Sequence, residues 1–177
     1  MDHNTTGTDR RIVVGVDGSD CSKAALRWAI TQAHLTQATV EAVAAWQDPM
    51  TYGYGVGLGM APVVLADDNI QAITEKVLDE TISDLAPHAD VQIKTRVRQG
   101  HPAAVLLDAA TGAQMLVVGS RGHGTFAGIM LGSVSQHCVQ HAPCPVVVIP
   151  PVAQTHDLPP AVAHSTEITE TAVRSTP

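Results

Sequence analysis

Aromatic residues are scarce in this chain, at 3% of 177 residues. Its core must therefore come from Val, Ile, Leu and Ala, a palette that suits a parallel sheet covered by helices. Cysteine is also rare. Cys21, Cys138 and Cys144 are too few, and odd in number, for a disulfide framework, so a reduced, cytoplasmic setting is expected. No stretch approaches the roughly 20 apolar residues of a membrane span. The opening MDHNTTGTDRR is polar and lacks the apolar segment of a secretory signal. Positive charge is in short supply too: ten Lys and Arg against 17 Asp and Glu leave a net charge of −7. That balance argues against nucleic-acid and anionic-membrane partners. Any anion site must then be built locally, from backbone amides and an arginine.

What is present is hydrophobic residue, 45% of the chain, arranged in alternating strand and helix patterns. Residues 11–17 (RIVVGVD) read as a Val-rich strand, followed by Gly18 and a helix that Ser19 or Asp20 caps, with Ala25, Trp28, Ala29 and Ala33 at helical spacing. Residues 39–46 (TVEAVAAW) are a second strand. The glycine-rich stretch 51–62 follows, read as an exposed loop that serves as a lid, an interaction surface or a plain crossing. Residues 66–86 form a helix with Ile70, Ile73, Val77, Ile82 and Leu85 on its apolar face, ended by Pro87. Residues 91–97 alternate apolar and polar and predict a strand near a sheet edge. Pro102 opens another helix. Residues 115–118 form a fourth strand, residues 132–141 a helix, and residues 145–149 a fifth strand. Five strand–helix alternations predict a doubly wound α/β fold with a mostly parallel five-stranded sheet and helices on both faces. The boundaries expected are a disordered start at 1–9, one domain over 10–150, and a disordered Pro-, Thr- and Ala-rich tail over 151–177.

Ligands of such sheets sit at the carboxyl ends of the strands, where strand order reverses. Two strand ends carry special residues: Gly15-Val16-Asp17-Gly18-Ser19 after the first strand, and GSRGHGTFAGIMLGS, residues 119–133, after the fourth. If those strands are neighbours, both loops flank one crevice. The second loop is not a P-loop, because it has no lysine. A G-x-G-x-x-A match at residues 122–127 lies after the wrong strand for a dinucleotide fingerprint and has no acid downstream to hold a ribose. The spacing that stands out is Gly119-x-x-Gly122, nine residues, then Gly132-Ser133. Gly119 and Gly122 let the backbone turn and approach a ligand. Gly132 and Ser133 start a helix, where free amides and the positive dipole end attract phosphate. The plainer alternative is a tight turn followed by Ser133 as a helix cap.

That spacing resembles the nucleotide loop of the universal stress protein family, G-x-x-G-x9-G-S/T. The likeness extends to VVGVDGSDCSKAALRWA near the start and GSVSQHCVQHAPCPVVVIP near the end, and so covers about residues 10–150. The resemblance implies an adenine nucleotide alpha hydrolase-like fold. It also implies phosphate and ribose contacts from Gly119, Ser120, Arg121, Gly122, His123, Gly132, Ser133 and Val134. Gly15, Val16 and Asp17 would border the adenosine, and Ala45 would offer backbone to the adenine. Ala44-Ala45-Trp46 departs from the branched residues more usual there. The implied function is ATP binding, with Mg2+ as an accompanying ion, in a stress-response regulator that forms homodimers through its last strand, Val146–Ile149. Three rivals stay open: a slow ATPase or phosphotransferase, an interaction module that binds no nucleotide, and a cyclic AMP site. No catalytic set emerges, since only Asp17 is placed to hold a catalytic metal. His137, Cys138, His141 and Cys144 cluster in sequence, and His137 and His141 share a helical face at i and i+4, so a zinc site is conceivable; but Cys138 falls on a different face and Cys144 lies between two prolines, so buried thiols, amphipathic histidine positions and no metal site are expected.

Overall fold

The structure is a computed structural model that describes residues 10–47, 67–86, 90–122 and 131–151. The expectations for residues 1–9, for the 51–62 loop, for Pro87, for His123 and for the tail beyond residue 151 lie outside the described residues.

Strands β1 (Arg11–Gly15), β2 (Thr39–Trp46), β3 (Ile93–Gln99), β4 (Met115–Gly119) and β5 (Val146–Ile149) form one sheet, and every described pairing is parallel. Their order is β3-β2-β1-β4-β5. The chain therefore builds outward from β1 in one direction, then jumps back beside it to build in the other. β1 and β4 are neighbours, with Val13 opposite Leu116, and their carboxyl ends bound the switch point. β3 lies at an edge, as its alternation predicts, but it begins at Ile93 and runs to Gln99, later than the expected 91–97.

Helices α1 (Asp20–Thr36) and α2 (Asp67–Leu85) cover one face, and α3 (Pro102–Ala109) and α4 (Ser133–His141) the other. The Val-rich strands follow from this sandwich, because a strand buried on both sides has no use for alternation. Ile12 and Val14 join the α1/α2 core while Val13, between them, joins the α3/α4 core. Val117 and its neighbours Leu116 and Val118 divide in the same way. Ile12, Leu26, Leu78 and Leu116 are fully buried, each worth about 1.5–3 kcal/mol relative to exposure.

The α2 face differs from expectation. Ile73 is 51% exposed, whereas Leu78 and Thr81 are buried. The helix carries more aliphatic residues than its contact stripe can hold, and its rotation against β2 and β3 selects Leu78 over Ile73. Buried charge in the sheet is concentrated at Glu41, which takes Arg11 and Arg96 from the two flanking strands, the latter through Nε at 2.8 Å. This triad ties β1, β2 and β3 together.

Candidate functional site

Because the sheet is parallel, each strand delivers the chain to its carboxyl edge and each helix starts there. The β1–α1 turn is fixed by local hydrogen bonds. Asp17 Oδ1 accepts from the Ser19 amide at 3.0 Å, Ser19 Oγ accepts from the Ser22 amide at 3.2 Å, and the Ser22 hydroxyl donates to the Ser19 carbonyl at 2.9 Å. Ser19 is thus the N-cap of α1, and Gly18 takes the φ of 85° that the turn requires.

The β4–α4 connection is anchored from both sides. The Ser120 amide donates to the Ile149 carbonyl at 2.7 Å, and the Ser120 carbonyl accepts the Gly132 amide at 2.8 Å. The Ser135 hydroxyl donates to the Gly119 carbonyl at 2.6 Å. The start of α4 is thereby held against the end of β4. The first helical bond runs from the Gln136 amide to the Gly132 carbonyl. The amides of Ser133, Val134 and Ser135 precede it, so they have no helical acceptor, and none among the described residues. Gly132 is the N-cap, and no side chain caps this helix. Ser133 is its first helical residue, not its cap.

These two connections enclose a cleft of about 580 Å³. Gly15, Val16, Asp17, Ala45, Gly119, Arg121, Gly122, Gly132, Ser133 and Val134, all expected from sequence, line it. Ser120, also expected, does not: its side chain is buried behind the cleft, and its backbone serves as the link between β5 and α4. His123 lies outside the described residues. The sequence reading missed the apolar floor of Val43, Leu106 and Val118, along with Ser22, Pro102, Leu131, Ser135 and Gln136. Pro102 had a usable signal, since the first residue of α3 must lie at the same sheet edge as the other helix starts. Leu106 had none, because its place depends on how α3 crosses the sheet.

The glycines divide the work differently from expectation. A Cβ on Gly119 would lie 2.7 Å from Cys21 Cβ and 2.8 Å from the Cys21 carbonyl carbon. This glycine lets β4 pass under the first turn of α1 while its backbone lines the cleft. A Cβ on Gly122 would meet Asp17 Oδ2 at 2.7 Å, inside the cleft. Gly132 has room for a methyl group, with nothing nearer than 3.5 Å, and its amide is committed to Ser120. The amides left to meet an anion are those of Ser133, Val134 and Ser135. Arg121 is exposed at the cleft mouth and makes no ion pair among the described residues.

The sequence cluster on α4 separates in space. Cys138 is buried in the α3/α4 core, and burial pushes its thiol up to about 11. Burial also raises Cys144, opposed by a hydrogen bond from the Leu116 backbone and by the charge of Arg11. His137 and His141 are exposed. Among the described residues, no three His, Cys, Asp or Glu side chains are grouped to hold a metal. The Cys138 shift carries a sign. The unfolded thiol ionises near 9.0 and the folded one near 11, so the native state keeps a proton that the unfolded chain releases. Its contribution is intact below pH 9.0 and lost as pH rises toward 11. Chemical denaturation of wild type and Cys138→Ala across that window should show a steeper alkaline loss for wild type; parallel curves would contradict the assignment.

Sheet order, crossovers and a cleft at the switch point define the doubly wound α/β class, and the architecture is adenine nucleotide alpha hydrolase-like. Residues 9–150 match the universal stress protein family, and the chain belongs to that family. It is 33% identical over 145 residues to a universal stress protein of Mycolicibacterium smegmatis, covering 81% of this chain and 49% of the relative. The chain thus spans about half the length of that curated relative. Among solved structures it is similar to the universal stress protein UspA from Lactobacillus plantarum, with a TM-score of 0.64, 26% identity, and 80% and 97% of the two chains covered. It is also similar to a universal stress protein in complex with cAMP, with a TM-score of 0.55, 27% identity, and 79% and 95% covered. Among the described residues, no helix is long and apolar enough to cross a membrane.

Proposed function

We propose that the cleft binds an adenine nucleotide, ATP foremost, and that the protein is a stress-response regulator whose bound nucleotide biases its conformation or partners. The observation that carries this reading is the row of amides at Ser133, Val134 and Ser135, without acceptors among the described residues, in residues that line the same cleft as Arg121, Asp17 and an apolar floor. Amides and helix dipole suit phosphate without any need for net positive charge, which an acidic chain lacks. Val43, Leu106 and Val118 offer a surface for a base, with Ala45 alongside. The volume lies within the range of small-ligand sites. The similar protein solved with cAMP points to the same ligand class.

Binding rather than turnover is the reading we favour. Of the described residues that line the cleft, Asp17 alone has a carboxylate, and phosphoryl transfer relies on metal ions held by several groups. Asp17 is where Mg2+ accompanying the nucleotide would find a ligand. The exposed edge of β5, with Val146–Ile149 each half-buried, is the surface we assign to a homodimer, which light scattering would register as twice the monomer mass.

Thermal unfolding with and without ATP tests the function. A ligand at 100 times its Kd adds about 2.7 kcal/mol, a readily measured rise in Tm. Competition between ATP and cAMP then ranks the two. An unchanged Tm at millimolar ATP and at millimolar cAMP would leave an interaction module without nucleotide.

A further inference from the structure

The exposed face of α4 carries a feature independent of the cleft. His137 and His141 lie one turn apart, with ring centroids 4.3 Å apart and planes inclined by 25°. His141 Nδ1 lies 3.0 Å from the His137 carbonyl oxygen. A carbonyl can only accept, so this bond requires a proton on Nδ1; in the neutral ring that leaves Nε2 as the electron-pair donor. A backbone carbonyl on the other ring nitrogen is the arrangement that fixes tautomer and orientation in histidines that ligate metals. Both residues are exposed, and α4 contains no Lys or Arg to repel a cation. The pair also occupies the last turns of the helix, where the carbonyl end of the dipole favours positive charge.

We infer that His137 and His141 form a two-imidazole site for a divalent late transition-metal ion such as Zn2+. Neutral imidazoles one helical turn apart suit Zn–N bonds of about 2.0–2.1 Å once the exposed rings turn from their stacked arrangement to bring both Nε2 atoms to one ion. No third His, Cys, Asp or Glu joins them among the described residues, so water completes the coordination. The buried Cys138 takes no part. The ion staples the last two turns of the helix whose first turn supplies the amides of the cleft. Metal at one end and an anion at the other would stabilise the same nine-residue rod.

Isothermal titration of the full chain with Zn2+ tests this, with His137→Gln and His141→Gln measured in parallel and their folding checked by circular dichroism. Wild type should take up one equivalent more than either variant, or bind that equivalent at least about tenfold more tightly. Zn2+ should also raise the Tm of wild type more than that of either variant. Other histidines that bind Zn2+ would appear equally in all three proteins and cancel. Failure of wild type to bind Zn2+, or superimposable isotherms and equal Tm shifts in wild type and both variants, would overturn the proposal.

Discussion

Gly119→Ala lowers the stability of the fold by about 1–3 kcal/mol, and a larger side chain lowers it further. The new methyl carbon would start 2.7 Å from Cys21 Cβ and 2.8 Å from the Cys21 carbonyl carbon. Real Cβ atoms do not approach backbone so closely, and neither neighbour is the free end of a flexible chain. Relief requires α1 to lift from the end of β4. That movement opens the packing around Ala25 and Val117, both fully buried in one cluster. Denaturant titration measures the effect as a lower midpoint at unchanged slope. A midpoint equal to that of wild type would show that Gly119 does not carry the contact between β4 and α1.

Gly122→Val has the opposite signature: stability close to wild type, within about 0.5 kcal/mol, and nucleotide affinity weakened about 10- to 100-fold. Gly122 is exposed, and among the described residues its first added atom meets only the end of the Asp17 carboxylate. Oδ2 is the far end of a side chain, and a small rotation that keeps Oδ1 near the Ser19 amide moves it aside, so the fold tolerates the change. The valine methyls then occupy the space between Asp17 and the start of α4, where the nucleotide would lie. Calorimetric titration with ATP beside a denaturation curve separates the two effects. Unchanged affinity would remove Gly122 from the site; an unfolded variant would make it a packing residue like Gly119.

The contrast between these two glycines marks the limit of what the sequence conveys. Their spacing, with Gly132-Ser133 beyond, located the connection, and the chain does bring Asp17, Arg121, Gly122 and Ser133 to one cleft. The spacing does not say which backbone each missing side chain faces. Gly119 turns toward Cys21 and Gly122 toward Asp17 because of the way α1 lies across β4, a relation between elements about 100 residues apart. Nor does it reveal that the Gly132 amide is already bonded to Ser120, which shifts the available donors one residue into α4.

The same division runs through the fold. Continuous Val-rich runs in β1 and β4 announce strands buried on both faces, and the alternation of β3 announces an edge. The adjacency of β1 and β4, on which the cleft depends, comes from the chain's reversal and could be stated only as a condition. α2 shows the cost of reading periodicity alone: Ile73 fits the apolar stripe and faces water, while Leu78 lies against the sheet. Hydrophobicity sets how wide that stripe is, and packing sets where it falls.

The most direct measurement is a crystal structure of the chain grown with excess ATP. The account predicts phosphate oxygens within hydrogen-bond distance of the Ser133, Val134 and Ser135 amides, with the base over Val43 and Leu106. A phosphate chain bound elsewhere, or a cleft holding no nucleotide while those three amides meet only water, would contradict it.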